Sequence, residues 1–294
     1  MTDGYLTTRD KLRIYFRTAG TGTSLVVIPN GIYLFDDFQR LTAGRTLVFY
    51  DVRNRGRSDA VDDPHKLEAG IQQDVEDLDE VRRHFGADRV AVMGHSYMGV
   101  MVVLYAKAYK KHVSHVVQIG SMAPDSRKQY GPDLSNVDET FRTTLASLRE
   151  LEADRPSLSP VEFCEKFWSV LRPIYVTDPA NAHRITWSRC DLPNERNFMG
   201  VWTKYVLPSI ERLNLTPADL ADVTAPVLVV HGTKDRSAAY GGGVDWASYL
   251  PNARLLKVEG GCHGPWIESP DLVFNSIETF LSGRWPDAAT QPSL

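Results

Sequence analysis

Hydrophobic and polar positions change their rhythm several times along this chain. Tyr5–Thr8 and Leu12–Arg17 alternate apolar and polar residues around Arg9-Asp10, which predicts an antiparallel hairpin at a sheet edge. Leu25–Pro29 and Thr46–Tyr50 are short continuous apolar runs, the pattern of strands covered on both faces. Residues 67–86 carry Ile71, Val75, Leu78 and Phe85 as a helical stripe that ends at Gly86. Arg89–Met93 reads as the next buried strand. A helix with Val100, Val103, Leu104 and Ala108 on its apolar face follows, then a strand over Val113–Ile119. Such alternation predicts an α/β class with a mostly parallel central sheet, flanked by helices and joined by right-handed crossovers.

The rhythm breaks after Pro124. Residues 125–222 hold no comparable strand run and several helix starts. Ser159-Pro160-Val161-Glu162 is a capping box with proline at the first helical position, and Ser135-Asn136-Val137-Asp138 is a weaker one. The same stretch is rich in aromatic residues, Trp168, Trp187 and Trp202 among them. Strands return at Pro226–His231 and Ala253–Val258, and Leu272–Leu281 reads as a closing helix. The expected organisation is therefore a core of residues 1–124 and 223–284, with 125–222 inserted as a helical lid. Residues 285–294, rich in Pro, Ala and Ser, are expected to form a loose tail.

Composition narrows the function classes. With 294 residues, 43% hydrophobic and 24% charged, the chain can bury a sizeable core. Its net charge of -4 offers no basic surface for nucleic acid. Met1–Phe16 has scattered charges and no apolar run, so no signal peptide is expected. No stretch reaches the roughly 18 apolar residues of a membrane span. Cys164, Cys190 and Cys262 form neither a disulfide framework nor a metal-ligand spacing, which points to a reducing, cytoplasmic setting. His112 and His115 sit at i, i+3 without nearby ligands and read as surface residues, so no metal or other cofactor is expected. The partner is a small-molecule substrate, with a homo-oligomer left open.

The candidate chemistry centres on Val90-Ala91-Val92-Met93-Gly94-His95-Ser96-Tyr97-Met98-Gly99. A strand, a tight turn with a serine and a helix in that order lift the Ser96 hydroxyl from the sheet edge, beside free N–H groups of the helix start. A serine needs a base, and the base needs an orienting acid. His263, in a glycine-flanked loop after a strand, is the expected base. Asp235, in the loop after the preceding strand, is the expected acid, and Asp125 a reserve for it. His95 and His231 read as structural, and Asp51 and Asp59 as hydrogen-bond partners within a loop. Cys262 reads as a small buried residue rather than a nucleophile. The N–H of Tyr97 is a natural donor to an oxyanion.

Five segments in this order resemble the α/β-hydrolase family. They are Pro29-Asn30-Gly31-Ile32, the loop from Tyr50 to Asp59, Gly94-His95-Ser96, His231-Gly232-Thr233-Lys234-Asp235, and Gly261-Cys262-His263-Gly264-Pro265-Trp266. The order Ser96, Asp235, His263 is also that family's. The resemblance implies a triad of these three residues and places the second oxyanion donor at the N–H of Ile32. It departs from the family at Met98, where G-x-S-x-G asks for glycine, and at Asn30, where the family often has histidine. A methionine at 98 is expected either to point outward or to make the helix stand off slightly.

The expected function is a cofactor-free serine hydrolase, carboxylesterase-like, that cleaves a small, largely apolar ester through an acyl-enzyme. Trp168, Trp202 and Trp266 are expected to line its substrate site. A peptidase like proline iminopeptidase, a carbon–carbon bond hydrolase and a lactonase share these parts. From a different class, a slow or non-catalytic ligand-binding protein on the same fold stays open.

Overall fold

The computed structural model describes residues 1–128, 130–131, 134–185, 187 and 189–292, with the side chains of residues 135 and 197 left aside. Nine strands form one sheet: β1 (Asp3–Thr7), β2 (Arg13–Ala19), β3 (Ser24–Pro29), β4 (Arg45–Tyr50), β5 (Val90–His95), β6 (Val113–Ile119), β7 (Val227–Gly232), β8 (Ala253–Val258) and β9 (Ala289–Thr290). Their order is β1-β2-β4-β3-β5-β6-β7-β8-β9. From β4 across to β8 every pairing is parallel. The hairpin β1–β2 runs antiparallel at one edge, as its alternation predicts. All residues of β5 and of β7 are buried, which is why these strands read as continuous apolar runs.

Two apolar layers cover the sheet. Helices Ile71–His84, Tyr97–Ala108 and Tyr240–Tyr249 pack on one face through residues such as Val75, Leu78, Met101, Leu104 and Trp246. Helices Gly31–Phe38 and Pro270–Leu281 pack on the other, with Leu34, Phe38, Ile277 and Phe280 in that layer. The stripe expected over 67–86 is broken at Gly70, whose φ of 53° divides a short helix, Pro64–Leu67, from Ile71–His84. Gly86, at φ 63°, ends the helix as its position predicts.

Chain order and sheet order part company at β3. The chain leaves β3 for β4 on one side and later enters β5 on the other. Loops after β3 and β5 therefore diverge and leave a crevice at the strands' carboxyl ends, the usual ligand position in open α/β sheets. Asn30 and Ser96 follow directly at those two ends.

Between β6 and β7 the described residues contain helices and no strand. The box at Ser159 forms, with Glu162 N–H donating to its hydroxyl and the Glu162 carboxylate accepting from Ser159 N–H. The weaker box does not start a helix at Ser135. Residues 134–137 are already a short helix, and Asp138 caps the long helix Glu139–Asp154 by accepting from Phe141 N–H at 2.8 Å.

Two expectations are corrected. Cys164 and Cys190 form a disulfide, because the fold brings helix Pro160–Leu171 beside the segment carrying Cys190, with the Cα atoms 5.9 Å apart. The tail is not wholly loose: Ala289–Thr290 pairs antiparallel with β8, and Trp285 packs on Phe280 with Arg254 over its ring. No helix among the described residues is long and apolar enough to cross a membrane.

Ile28, at 0% exposure in β3, should lose about 2–5 kcal/mol of stability on Ile28→Ala. Val137→Ala, at 62% exposure, should change it by no more than about 0.5 kcal/mol. Urea denaturation of both variants checks this packing; equal effects would contradict it.

Candidate active site

Ser96 sits between β5 and helix Tyr97–Ala108 at φ 60° and ψ -129°. A serine at positive φ is strained, by about 1–3 kcal/mol, and persists only where its surroundings enforce it. Two glycines make room for that turn. A Cβ on Gly94 would lie 2.1 Å from the Met98 carbonyl oxygen, and one on Gly99 2.6 Å from Ser121 Oγ. Positions 94 and 99 are thus where this elbow needs a small residue. Met98 itself is fully buried in the apolar layer, so it does not point outward.

The structure brings His263 and Asp235 together. Nδ1 of His263 lies 2.9 Å from Asp235 Oδ2. With that nitrogen donating, Nε2 is left as the basic atom. Asp235 Oδ1 also accepts from the backbone N–H groups of Ser237 at 2.8 Å and Ala238 at 2.7 Å. Burial pushes the Asp235 carboxyl up, but the His263 charge and the hydrogen bonds from His231 and His263 outweigh it and hold the pKa below the usual carboxylate range. Asp125, the reserve acid, instead pairs with Arg127 at 2.9 Å, and that contact lowers its pKa to about 2.

The other histidines support this pair. His95 is buried with Nε2 2.9 Å from the His263 carbonyl oxygen, and its ring centroid is 4.5 Å from that of His263. Burial and then the His263 charge lower its pKa to about 3, so it stays neutral. His231 Nε2 lies 2.7 Å from the Ala238 carbonyl oxygen, which fixes the loop carrying Asp235. Tyr175 stacks on the His263 ring at 5.0 Å, and its carbonyl accepts from Gly264 N–H. Cys262 is buried, and burial pushes its thiol up to about 12, which leaves it a poor nucleophile. Asp51 is held by Arg57 and Asp59 by Arg13, the loop roles their sequence context predicts.

Ser96 and His263 open into one cavity of about 310 Å³. Trp168 and Trp202 lie on its wall, as do Tyr33, Tyr175, Trp187 and Phe198. Trp266 does not: it is buried behind His95, 5.1 Å from that ring, and its Nε1 donates to Asp37. Tyr97 and Ile32 occupy the first turns of helices Tyr97–Ala108 and Gly31–Phe38, where N–H groups lack intrahelical partners. The Ile32 side chain packs toward Gly56, off the wall. Arg55 and Asn30 are on the wall, and the described lining has no carboxylate. Sequence reasoning missed Arg55, because nothing in Arg53-Asn54-Arg55-Gly56-Arg57 tells which guanidinium turns inward. Among the described residues no cluster of His, Cys, Asp or Glu could hold a metal.

Asp235→Asn removes a carboxylate whose folded pKa is depressed. Its stabilising contribution is complete above the unfolded value of about 3.9 and is lost progressively as pH falls from there through the depressed folded value. The stability gap between wild type and Asp235→Asn in urea should therefore narrow from pH 6 to pH 3; a widening gap would contradict the assignment. Gly94→Ala should be strongly destabilising, whereas Gly200→Ala, with open space around its Cβ in a helix, should be neutral or stabilising by up to about 1 kcal/mol. Thermal melts of the pair test the clearance at the elbow.

A family model described as alpha/beta hydrolase fold matches residues 18–270. A proline iminopeptidase of Saccharolobus solfataricus is 23% identical over 286 residues, covering 90% of this chain and 87% of that protein. A non-heme chloroperoxidase of Streptomyces lividans is 29% identical over 291 residues, covering 92% and 98%. Among solved structures, an esterase of Exiguobacterium antarcticum superposes with a TM-score of 0.71 at 18% identity, covering 96% of this chain and all of that one. A 2-hydroxy-6-oxo-6-phenylhexa-2,4-dienoate hydrolase of a Rhodococcus strain gives 0.74 at 20%, with the same coverage. With its mostly parallel sheet, its strained turn after β5 and this family match over most of its length, the chain belongs to the α/β-hydrolase fold family.

Proposed function

We propose that this protein is a cofactor-free serine hydrolase that cleaves a small, mainly apolar carboxylic ester through an acyl-enzyme. The observation that carries this reading is the Asp235–His263 hydrogen bond in the wall region of the cavity that Ser96 also lines. Ser96 Oγ attacks the ester carbonyl while His263 Nε2 takes its proton. The negative oxygen is received by the N–H groups of Tyr97 and Ile32, each worth roughly 2.7–4 kcal/mol of barrier. The imidazolium, stabilised by Asp235, returns the proton to the departing alcohol. Water then attacks the acyl group with the same base, and Ser96 is released.

In this reading residues 125–222 act as a lid on a core of 1–124 and 223–284. Trp168, Trp187 and Trp202 belong to that stretch and lie on the cavity wall, which supports an apolar substrate. A peptidase reading draws on the proline iminopeptidase relative. A peptide with a free amino terminus brings a cation, however, and the described lining offers it Arg55 and no carboxylate. Burying an unpaired ammonium there is unfavourable.

Two kinetic comparisons test these readings. Short p-nitrophenyl acyl esters should turn over faster than proline arylamides, and the reverse ranking would favour the peptidase. Ser96→Ala should lower esterase kcat by about a thousandfold or more, and Asp235→Asn by about a hundredfold or more. Asp125→Asn should leave it within about twofold, because among the described residues Asp125 is ion-paired with the exposed Arg127 and takes no part in the His263 contact. Loss of activity in Asp125→Asn with retention in Asp235→Asn would overturn the triad.

A further inference from the structure

The cavity wall is mainly aromatic and aliphatic, and Arg55 and Asn30 stand out among the polar groups that have no part in the hydrolytic steps above; Tyr97, whose hydroxyl is buried, lies on the same wall. Arg55 is 3% exposed and lies on the wall. Its Nε and Nη2 donate to Glu195 Oε2 and Oε1, both at 3.1 Å, while the Tyr33 hydroxyl donates to Oε1 at 2.5 Å. The guanidinium is also stacked over the rings of Tyr33 at 4.3 Å and Phe198 at 3.9 Å. Its third nitrogen, Nη1, takes no part in that pair. Asn30, the second group, is 4% exposed on the same wall, and its Oδ1 has no hydrogen-bond partner.

A clasp between the helical segment and the core would explain Glu195. Asn194 makes a similar link, donating from its N–H to the Gly56 carbonyl and from Nδ2 to that of Ser58. It does not explain a buried amide oxygen, Asn30 Oδ1, left unpartnered on a residue of the cavity wall. Once a substrate displaces water, an unmet donor or acceptor there is costly, so a ligand that supplies its complement is favoured. The charge of that complement follows from the pair. Arg55 and Glu195 sum to zero, so a carboxylate would share one cation with Glu195, and an ammonium would face the guanidinium. Only an uncharged group satisfies the site without an unbalanced buried charge.

We propose that the substrate carries, away from its scissile bond, an uncharged oxygen that accepts a hydrogen bond from Arg55. A ketone satisfies Arg55 alone. A hydroxyl also donates to Asn30 Oδ1. This inference rests on the hydrolase reading and narrows its substrate from a plain apolar ester to an oxo- or hydroxy-ester.

The test compares kcat/KM for p-nitrophenyl heptanoate, 6-oxoheptanoate, 6-hydroxyheptanoate and the monoester of adipate, with chains one carbon shorter and longer. Acetate esters of alcohols bearing the same groups probe the leaving-group side. An oxo- or hydroxy-ester should exceed its alkyl counterpart by about tenfold at one or more positions, and the carboxylate should fall below it. Arg55→Met/Glu195→Met removes the pair without leaving a buried charge and should bring the oxo-to-alkyl ratio to about one. Asn30→Ala keeps the pair and should lower the hydroxy-to-oxo ratio. Each ratio is taken within one preparation, so partial unfolding cancels. Alkyl esters equal or faster at every length, a carboxylate ester fastest, or a preference that survives the double variant would overturn the proposal. If no ester turns over and a fluorophosphonate leaves Ser96 unlabelled, the hydrolase reading itself fails and takes this inference with it.

Discussion

The backbone at Ser96, held at φ 60° between a fully buried strand and a buried helix, sets the geometry on which the rest of the candidate site depends. That conformation survives because the chain around it cannot relax. Gly94 lets the Met98 carbonyl approach, and Gly99 lets the helix close on Ser121 at the end of β6. Ser96 N–H in turn donates to the Ile119 carbonyl at 3.0 Å, tying the turn to β6. The methionine that departs from the family pattern is absorbed by the apolar layer, and position 99 carries the steric restriction. A large residue at 98 and a strained serine at 96 are therefore compatible.

From this turn the sheet distributes the remaining groups. β7 and β8 are parallel neighbours, so the loops carrying Asp235 and His263 leave the same edge and meet in a hydrogen bond. Asn30 follows β3, across the point where strand order reverses, and completes the rim with Ser96. The helical segment between β6 and β7 contacts this region. Tyr175 stacks on His263, and Glu195 pairs with Arg55 from the core. The Cys164–Cys190 disulfide joins helix Pro160–Leu171, which carries Trp168, to the segment after Trp187. Residues that shape the cavity are thus fixed to one another as well as to the sheet.

Much of this was legible in the chain because the relevant signals are local. β3 to β8 appear as mainly apolar runs close to their observed bounds, most clearly β5 and β7, where burial on both faces leaves no polar face to obscure them. Asp235 and His263 could be picked out as candidates because each lies in the loop that follows a strand. What escaped depends on distant segments. The 26-residue separation of Cys164 and Cys190 says nothing of their closeness, and β9 is only two residues long. Trp266 sits beside the candidate base in sequence yet turns behind His95, toward Asp37, because the helix Pro265–Glu268 begins immediately after the loop. Arg55 was hidden among three closely spaced arginines, and only Glu195, 140 residues away, identifies the one that faces inward.

Trapping the acyl-enzyme tests the central claim most directly. The protein would be mixed with p-nitrophenyl acetate, quenched in acid within its first turnovers, digested and mapped by mass spectrometry. An acetyl group on the peptide at Ser96, absent from Ser96→Ala and formed far more slowly in His263→Ala, is the predicted result. Acetylation at Cys262 or elsewhere with Ser96 unmodified, or turnover of the ester with no acyl-enzyme at any time, would contradict it.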